Sequence, residues 1–395
     1  MAGFDRRQGG SIGVLDELYV SALALAPDAG EPFIMCCFDL LGTDRALCRQ
    51  VRAAVSSRLD ASDERVWVGA THTHSAPSGI FSGRGNYCAD YAARLAERAA
   101  CAAERALASA EEASAYLALT EAEDIASLRD QPRESSGYRM PLLTLSLERP
   151  GRSILLCRFA CHPTVLDERN RLYSRDLPGA IERALPRDTD CVFLNGACAD
   201  LSTRYTRRSS DPAELERLGA LAARAAEGAQ RAPDAGFGRT ILAARSVLSA
   251  PRRGGLPESE RLALHGEVLK MARECADPAE KRELESKLAV LERPPAEPEP
   301  DREVELTVAD FGSIILIGLP FEVASGDGAA IERELSAAAG RPVYAVCYTG
   351  GYDGYLPSGE PLSAASSYQD VASRYEPSLR ARLLERARGC IGSLK

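Results

Sequence analysis

Short apolar runs and longer segments of helical periodicity follow one another along the N-terminal part of the chain. DELYVSALALA and PFIMCCFDLLG predict neighbouring strands, because they are rich in apolar and β-branched residues and are bounded by proline, glycine or aspartate. TDRALCRQVRAAVSSRL predicts a helix capped by Thr43 or Asp44. RVWVGATHTH predicts a strand, and an alanine-rich helix is expected over about residues 87–113. This alternation indicates an α/β fold in which mixed β-sheets are layered with helices.

The same pattern continues towards the C-terminus. YRMPLLTLSLE and RSILLCRFACHP predict two strands joined at RPGR, so the sheet is expected to be mixed. DCVFLNGACAD, VELTVADFGSIILIGLPFEV and PVYAVCYTGG supply further buried strands, and helices are expected over about residues 211–231 and 327–339. Residues 254–301 are charged and amphipathic and end in a segment rich in proline and glutamate. We interpret them as a helical insertion into a single catalytic domain that spans residues 1–395.

Composition and charge exclude several classes of protein. The longest apolar runs, such as SIILIGLP, are too short to span a bilayer, and MAGFDRRQGG lacks the apolar stretch of a signal peptide. A cytoplasmic protein without a transmembrane segment is therefore expected. The net charge of −9 argues against a nucleic-acid partner. The 12 cysteines are scattered without a CxxC pair, which is typical of thiols in a reducing compartment.

Three of the four histidines follow predicted strands. GATHTHSAPSG places His72 and His74 two positions apart, and alternate residues of a strand point to the same face. An isolated pair of this kind is also found in ordinary loops. LLCRFACHPTV, however, places His162 at the end of another apolar strand, again before proline. Because imidazole nitrogen is a common Zn²⁺ ligand, the pattern predicts a metal site. His265 lies in the charged insertion and is given no role.

Further candidates follow other predicted strands. A hydrolytic zinc site usually adds a carboxylate, and Glu322 follows IILIGLPF, although most glutamates are surface residues. In LNGACADLSTRYTRR, the turn at Asn195 and Gly196 has backbone N–H groups that can bind an anion or polarise a carbonyl. Ser202 is compatible with a nucleophile, a hydrogen-bonding group at the metal site or a turn residue. No GxSxG elbow favours the first role.

The same loop carries a cysteine and several arginines. Cys198 is a rival nucleophile, although a buried structural thiol is the favoured interpretation. The density of arginines at Arg204, Arg207 and Arg208 is suited to an anionic substrate group. Downstream, CYTGGYDGYLPSGE has several tyrosines between glycines, which is compatible with a packed aromatic turn or with hydroxyls facing a cleft; these are Tyr348, Tyr352 and Tyr355.

In this order the segments resemble the neutral/alkaline (non-lysosomal) ceramidase family. The matching stretches, from about Ile12 to Ser378, are DELYVSALAL…FDLLG, GATHTHSAPSG, FACHPT, SRDLPG, LNGACADLS, LPFEV and GGYDGYLPSGE…YQDVASRYE. THTHSxP is the most specific of them, and the order of the others adds weight. The resemblance implies an α/β catalytic domain and a zinc amidohydrolase that cleaves the N-acyl bond of ceramide.

The resemblance also assigns roles to individual residues. It implies one zinc ion per chain, with four ligands: His72, His162, Glu322 and Tyr352. It makes His74 a group that helps to hold the oxyanion, and it places a serine important for activity at Ser202, beside Asp200. Tyr368 or Tyr375 matches a second active-site tyrosine. From the resemblance and the two loops together, substrate contacts are expected from Asn195, Gly196, Arg204, Tyr355 and Tyr368.

The chain also departs from the family. It ends just after the catalytic region, without the C-terminal immunoglobulin-like domain, and has Ala199 where the family tends to have glycine. The charged insertion has no evident apolar surface that could bind two lipid chains. We therefore expect a zinc-dependent amidohydrolase that cleaves a smaller, polar N-acylated molecule. Amide formation on the same site, ester or lactone hydrolysis, and a binding protein without activity are the alternatives, and a homodimer is compatible with the chain length.

Overall fold

Three mixed sheets form the centre of the protein, and helices pack against them. The computed structural model describes residues 1–82, 84–129, 138–293 and 299–394. The strands are β1 (Gly13–Val14), β2 (Val20–Leu25), β3 (Phe33–Phe38), β4 (Val66–Ala70), β5 (Ser114–Ala122), β6 (Ser127–Leu128), β7 (Met140–Arg149), β8 (Arg152–Phe159), β9 (Leu172–Tyr173), β10 (Thr189–Asn195), β11 (Leu201–Ser202), β12 (Ala232–Pro233), β13 (Leu242–Ala250), β14 (Arg302–Asp310), β15 (Ile315–Gly318) and β16 (Val343–Val346). The helices are α1 (Arg45–Ser56), α2 (Ala89–Ala108), α3 (Leu177–Ala184), α4 (Pro212–Glu227), α5 (Glu258–Glu274), α6 (Pro278–Leu291), α7 (Ser325–Ala339), α8 (Tyr368–Ala372) and α9 (Leu379–Ser393).

Each main sheet contains both parallel and antiparallel pairs. The strand orders are β2-β3-β4, β10-β8-β7-β5-β12 and β13-β14-β15-β16. In each sheet an antiparallel pair adjoins a parallel one: β2/β3 with β3/β4, β7/β8 with β8/β10, and β14/β15 with β15/β16. The mixed α/β architecture predicted from the sequence is therefore confirmed.

Strand β3 illustrates how the layers are held together. Its residues are all buried, and alternate side chains point to opposite faces. Ile34 and Cys36 belong to the core that includes buried residues of α1 and α2. Phe33 and Met35 belong to a second core, which joins residues of the other two sheets. Each face of this strand is thus covered by a different layer.

Helix α2 is shorter than the sequence predicted. It was expected over about residues 87–113 but ends at Ala108, and β5 already begins at Ser114. The two glutamates Glu111 and Glu112 follow its last turn. Negative charge is unfavourable at the C-terminal end of a helix dipole, so the helix does not extend through them.

The charged insertion folds as a helical hairpin of α5 and α6. Asp277 caps α6 by accepting hydrogen bonds from the N–H groups of Ala279 and Glu280, and Pro278 occupies the first helical turn. The two helices share a small apolar cluster that also contains Val371 of α8. The hairpin is thereby attached to the segment that carries Tyr368.

The carboxyl ends of several strands meet at one junction. The Ala70 N–H donates to the Tyr348 carbonyl over 3.1 Å, and the Cys347 N–H donates to the Asn195 carbonyl over 2.9 Å. The Thr349 N–H donates to the Leu319 carbonyl over 3.0 Å. These bonds bring together the segments that leave β4, β10, β15 and β16. Across the described ranges of the chain, every helix is too short or too polar to cross a membrane.

Candidate metal centre

Three imidazole rings converge at this junction. Nε2 of His74 lies 3.3 Å from Nε2 of His72 and 3.0 Å from Nε2 of His162. Ligand atoms of the three rings all lie within 4.8 Å of one another, a grouping that can hold a metal ion. His72 and His162 are 0% and 1% exposed, so their nitrogens are shielded from bulk water.

The local backbone at His72 differs from the sequence prediction. A strand extending through His74 was expected to point both rings the same way, but β4 ends at Ala70. His72 has a φ of 69°, in the left-handed region that non-glycine residues rarely adopt. The rings nevertheless converge, because this turn redirects the chain. Such strain is tolerated where the surrounding structure holds it, and here the His72 N–H donates to the Leu40 carbonyl.

Backbone carbonyls orient two of the imidazoles. Nδ1 of His72 lies 2.6 Å from the Leu41 carbonyl oxygen, and Nδ1 of His162 lies 3.3 Å from the Cys198 carbonyl oxygen. A carbonyl only accepts, so we assign the ring proton to Nδ1 in both residues. The lone pair of each Nε2 then faces the other rings. This is the arrangement that metal-binding histidines usually have.

Electrostatics favour neutral imidazoles. Burial lowers the pKa of both His74 and His162 well below the usual value, and nearby positive charge adds to the effect. The guanidinium of Arg129 contributes to the pKa lowering of both residues. Since a metal binds the deprotonated ring, both residues are in the protonation state that a metal requires.

A carboxylate and a phenol border the three rings. Oε2 of Glu322 lies 3.4 Å from Nε2 of His72, and the Tyr352 hydroxyl donates to Oε1 of Glu322 over 2.6 Å. Burial acts to raise the pKa of Glu322, but His72, Tyr352 and Arg129 outweigh it, and the pKa is lowered. Burial and the charge of Glu322 raise the pKa of Tyr352 well above its usual value. The structure thus pairs an ionised carboxylate with a protonated phenol.

Glycine allows Tyr352 to reach this position. A Cβ atom on Gly42 would lie 2.6 Å from Cβ and Cγ of Tyr352, closer than such atoms approach in proteins. The loop after β16 is fixed to the loop after β15, because the Glu322 N–H donates to the Gly354 carbonyl over 2.9 Å. The Asp353 N–H likewise donates to the Pro320 carbonyl over 2.7 Å. The two side chains are therefore held by one connected piece of backbone.

A cavity of about 490 Å³ opens beside the histidines. Its lining includes His74 and His162 and four of the residues predicted from sequence: Ser202, Arg204, Tyr355 and Tyr368. The rings of Tyr355 and Tyr368 meet edge to face at 5.8 Å. A wider opening of about 820 Å³ also reaches Glu322 and Tyr352. We call the smaller space the arginine cavity, after five residues of its lining: Arg129, Arg169, Arg204, Arg207 and Arg282.

Three predicted site residues form hydrogen bonds within the fold. The Gly196 N–H donates to the Phe159 carbonyl, so it is not available to an anion, contrary to the prediction. Asn195 is fully buried, and its amide donates to the Thr71 carbonyl over 3.2 Å. Asp200 accepts hydrogen bonds of 2.7 Å from the N–H and hydroxyl of Ser325, where α7 begins. These groups are occupied by contacts between segments that are distant in sequence, and the sequence alone does not reveal those contacts.

Ser202, Cys198 and Tyr375 are also engaged within the fold. The Ser202 hydroxyl accepts from the Arg204 N–H over 3.1 Å and so caps a short 3₁₀ helix. Sγ of Cys198 lies 3.3 Å from the Tyr348 hydroxyl, and burial raises the pKa of this thiol well above its usual value. The Tyr375 hydroxyl donates to Asp353 over 3.3 Å. Cys198 is therefore a structural thiol, as favoured from the sequence.

Two contributors were missed by the sequence analysis. Arg129 lines the arginine cavity, and its Nε is buried without a hydrogen-bond partner in the described structure. Phe4 packs on His74 with ring centroids 4.8 Å apart, and a Cβ on Gly3 would lie 2.5 Å from Cγ of the same ring. Neither arginine nor phenylalanine lies in a motif, and only the tertiary fold brings them to the histidines.

Comparison with known proteins identifies the fold. No protein-family model and no curated protein sequence matches the chain. A solved ceramidase complexed with C2 superposes with a TM-score of 0.74 at 17% identity, covering 98% of this chain and 71% of the ceramidase. The neutral ceramidase from Pseudomonas aeruginosa gives a TM-score of 0.72 at 18% identity, with coverages of 97% and 69%. The resemblance predicted from the motifs is confirmed at the level of structure: this chain has the fold of the neutral ceramidases.

Proposed function

We propose that the protein is a zinc-dependent hydrolase that cleaves the N-acyl bond of a small, polar amide. One observation carries the proposal: three imidazole rings, of which burial keeps His74 and His162 neutral, converge beside an ionised carboxylate. Oε2 of Glu322 is buried without a hydrogen-bond partner among the described residues, and it lies 3.4 Å from Nε2 of His72. A buried carboxylate oxygen without a hydrogen bond is costly, and a bound cation would compensate it.

The donor set fits zinc. Imidazole nitrogen and carboxylate oxygen are both usual zinc ligands, and the carbonyl partners at Nδ1 keep Nε2 free for the metal. We assign the ion to four residues: His72, His162, Glu322 and Tyr352. A set formed by His72, His74 and His162 is the alternative, since these rings are mutually within reach. When bound, zinc lowers the pKa of a coordinated water from about 16 to about 7 and thereby supplies a nucleophile.

In this assignment His74 remains free to act on the substrate. Its Nε2 faces the same space as the other two rings, and it lines the arginine cavity. We propose that neutral His74 accepts the proton lost by the attacking water and, as an imidazolium, donates a hydrogen bond to the amide oxygen as negative charge develops there. It then passes the same proton to the departing amine. Loss of one such donor typically costs about 3 kcal/mol of transition-state stabilisation.

The solved neighbours support an amide as the bond that is broken, because both are ceramidases. The lining of the arginine cavity supports a smaller and more polar substrate, since burial of alkyl chains against charged groups is unfavourable. The same groups would serve the reverse, amide-forming reaction or an ester. Analysis of products from a defined N-acyl amide separates these directions.

Zinc content of purified variants tests the proposal. We expect about one zinc per chain in the wild type and its loss in the double variant His72→Ala/His162→Ala. His74→Ala should retain zinc but lose amide hydrolysis, and His265→Ala is the matched control that should change neither. Loss of zinc from His74→Ala would favour the three-histidine set. Failure of the wild type to bind zinc after reconstitution would refute the proposed function.

A further inference from the structure

We propose that the substrate carries an anionic group, a carboxylate or a phosphate, which binds Arg204, Arg207 and Arg282 in the arginine cavity. The inference rests on the proposed function, because it places this group in the same molecule as the amide. His74 and His162 line the same cavity as the three arginines. One small ligand can therefore reach both.

The charge of the arginine cavity is opposite to that of the whole chain. The chain has a net charge of −9, whereas the cavity lining has five arginines and three carboxylates, Asp167, Glu168 and Glu283. With neutral histidines the lining is therefore net positive. A cluster of this sign in an acidic protein favours binding of an anion over a neutral or cationic molecule.

The hydrogen bonds and ion pairs that these arginines form within the protein leave some of their N–H donors available to a ligand. Nη1 of Arg204 lies 3.3 Å from Oε1 of Glu283, and the Tyr205 hydroxyl is a second, uncharged neighbour of this guanidinium, which has five N–H donors. Arg282 is exposed at the cavity, and no carboxylate of the described structure forms an ion pair with it. Arg207 donates to the Thr164 and Val165 carbonyls, which carry no formal charge.

The arginines also repel one another. Burial lowers the pKa of Arg207, the charge of Asp167 opposes this effect, and the charge of Arg204 lowers the pKa further. Oδ2 of Asp167 lies 4.0 Å from Arg207 but 2.6 Å from Arg169, so its charge is shared. A bound carboxylate or phosphate would relieve this repulsion through charge-assisted hydrogen bonds.

The helical hairpin builds this part of the cavity. Arg282 lies on α6, and Arg204 lies in the 3₁₀ turn after β11. The Tyr205 hydroxyl lies 3.3 Å from both the Ala279 carbonyl and Oε1 of Glu283, and so fixes the turn to the helix. The proposed metal ligands come from the strand junction, whereas the anion contacts depend on the hairpin. The hairpin is thereby assigned to substrate selection.

Matched ligands test the inference. The probes are N-butyrylglycine, its neutral analogue N-butyrylglycinamide and N-butyryl-phosphoethanolamine, with binding measured by calorimetry on the full chain as purified. We expect at least one anionic probe to bind about 10- to 100-fold more tightly than the neutral one. The relative affinities of the carboxylate and phosphate probes identify the preferred group.

Paired variants locate the binding site. In Arg204→Gln/Arg282→Gln the preference for the anionic probe should disappear, with KM rising more for the anionic probe than for the neutral one. The control Arg273→Gln/Lys281→Gln removes the same charge from exposed residues of the hairpin outside the cavity lining and should keep the preference. Thermal unfolding verifies that both variants are folded.

The possible results separate this inference from the proposed function. Equal affinity of the wild type for neutral and anionic probes would overturn the inference, whatever is hydrolysed. Retention of the preference in Arg204→Gln/Arg282→Gln would also overturn it, because the anion would then bind elsewhere, for example at the metal. Absence of hydrolysis of every probe, with an arginine-dependent preference still present, would support the anion site and count against the amidohydrolase.

Discussion

The Tyr352 hydroxyl donates a hydrogen bond of 2.6 Å to Glu322 and thereby links the loops that follow β15 and β16. Because Tyr352 is held protonated and Glu322 ionised, the bond has a defined direction. It orients the carboxylate towards His72 and keeps the phenol at the edge of the wider opening. The pair is therefore the most direct point at which to test the candidate site.

Tyr352→Phe should reduce kcat about 100- to 1,000-fold, since it removes a hydroxyl proposed to bind the metal and the hydrogen bond that orients Glu322. The measurement is amide hydrolysis by the zinc-loaded protein, with circular dichroism to verify folding. Tyr348→Phe is the matched control, because its hydroxyl faces the structural thiol of Cys198. If the activity of Tyr352→Phe stays within a few-fold of the wild type, the Tyr352 hydroxyl has no part in the mechanism.

Gly42→Ala should lower activity through Tyr352. The new Cβ would lie 2.6 Å from the Tyr352 ring base, so the tyrosine must move. We expect at least about a tenfold loss of kcat/KM and a destabilisation of about 1–3 kcal/mol. Gly266→Ala, where a Cβ would meet no atom within 4 Å, is the control and should leave both quantities near wild type. Equal activity of the two variants would contradict the close packing of Gly42 and Tyr352.

Arg52 and Glu305 form a buried ion pair that joins α1 to β14, with side chains 1% and 3% exposed. Arg52→Met should lower the free energy of unfolding by about 3 kcal/mol, because it leaves the buried carboxylate of Glu305 with only the longer contact of 3.4 Å to Arg245. Arg52→Met/Glu305→Leu should recover much of this loss. Urea denaturation measures the wild type, both single variants (Arg52→Met and Glu305→Leu) and the double variant. A double variant as unstable as the sum of the two single variants would argue against the pair as the cause.

Asp39 makes stability dependent on pH. Burial raises its pKa to about 7, although the Tyr19 N–H, Arg175 and Thr71 act in the opposite direction. In the unfolded chain this carboxyl titrates near pH 4, so between these values only the folded state holds the proton. The wild type therefore loses stability as pH rises from about 4 to about 7.

Asp39→Asn cannot ionise and should escape this loss. Its free energy of unfolding relative to wild type should increase by about 1 kcal/mol or more between about pH 5 and about pH 8, measured by urea denaturation. Asp190→Asn is the control, because Arg152 lowers the pKa of that more exposed carboxyl and moves its titration below this range. A pH-independent difference for Asp39→Asn would show that Asp39 is ionised throughout.

Much of the fold and part of the site can be predicted from local sequence. Strand segments are visible because their apolar runs are bounded by glycine and proline, and His162 could be placed because it directly follows one of them. The convergence of His72 and His74 was predicted on a strand geometry that the structure replaces with a left-handed turn at His72. The two rings still converge, because the predicted strand and the observed turn both leave them near the end of β4.

What could not be predicted depends on pairing between distant segments. The Gly196 N–H was expected to be available, but β8 lies beside β10 and its last residue accepts this hydrogen bond. Arg282 looked like one charge among many on an amphipathic helix, and only the packing of α6 near β11 brings it to Arg204. Local periodicity does not determine which sheet edges and helices become neighbours.

The four proposed metal ligands are spread along the chain from His72 to Tyr352. During biosynthesis, a ribosome-bound chain that has not yet reached Tyr352 lacks the complete set, and no shorter N-terminal fragment contains it. Metal acquisition would therefore be a late event that follows synthesis of the strands of all three sheets. Metal binding would then distinguish completed molecules from truncated ones, and occupancy of the site would report that the whole fold has formed.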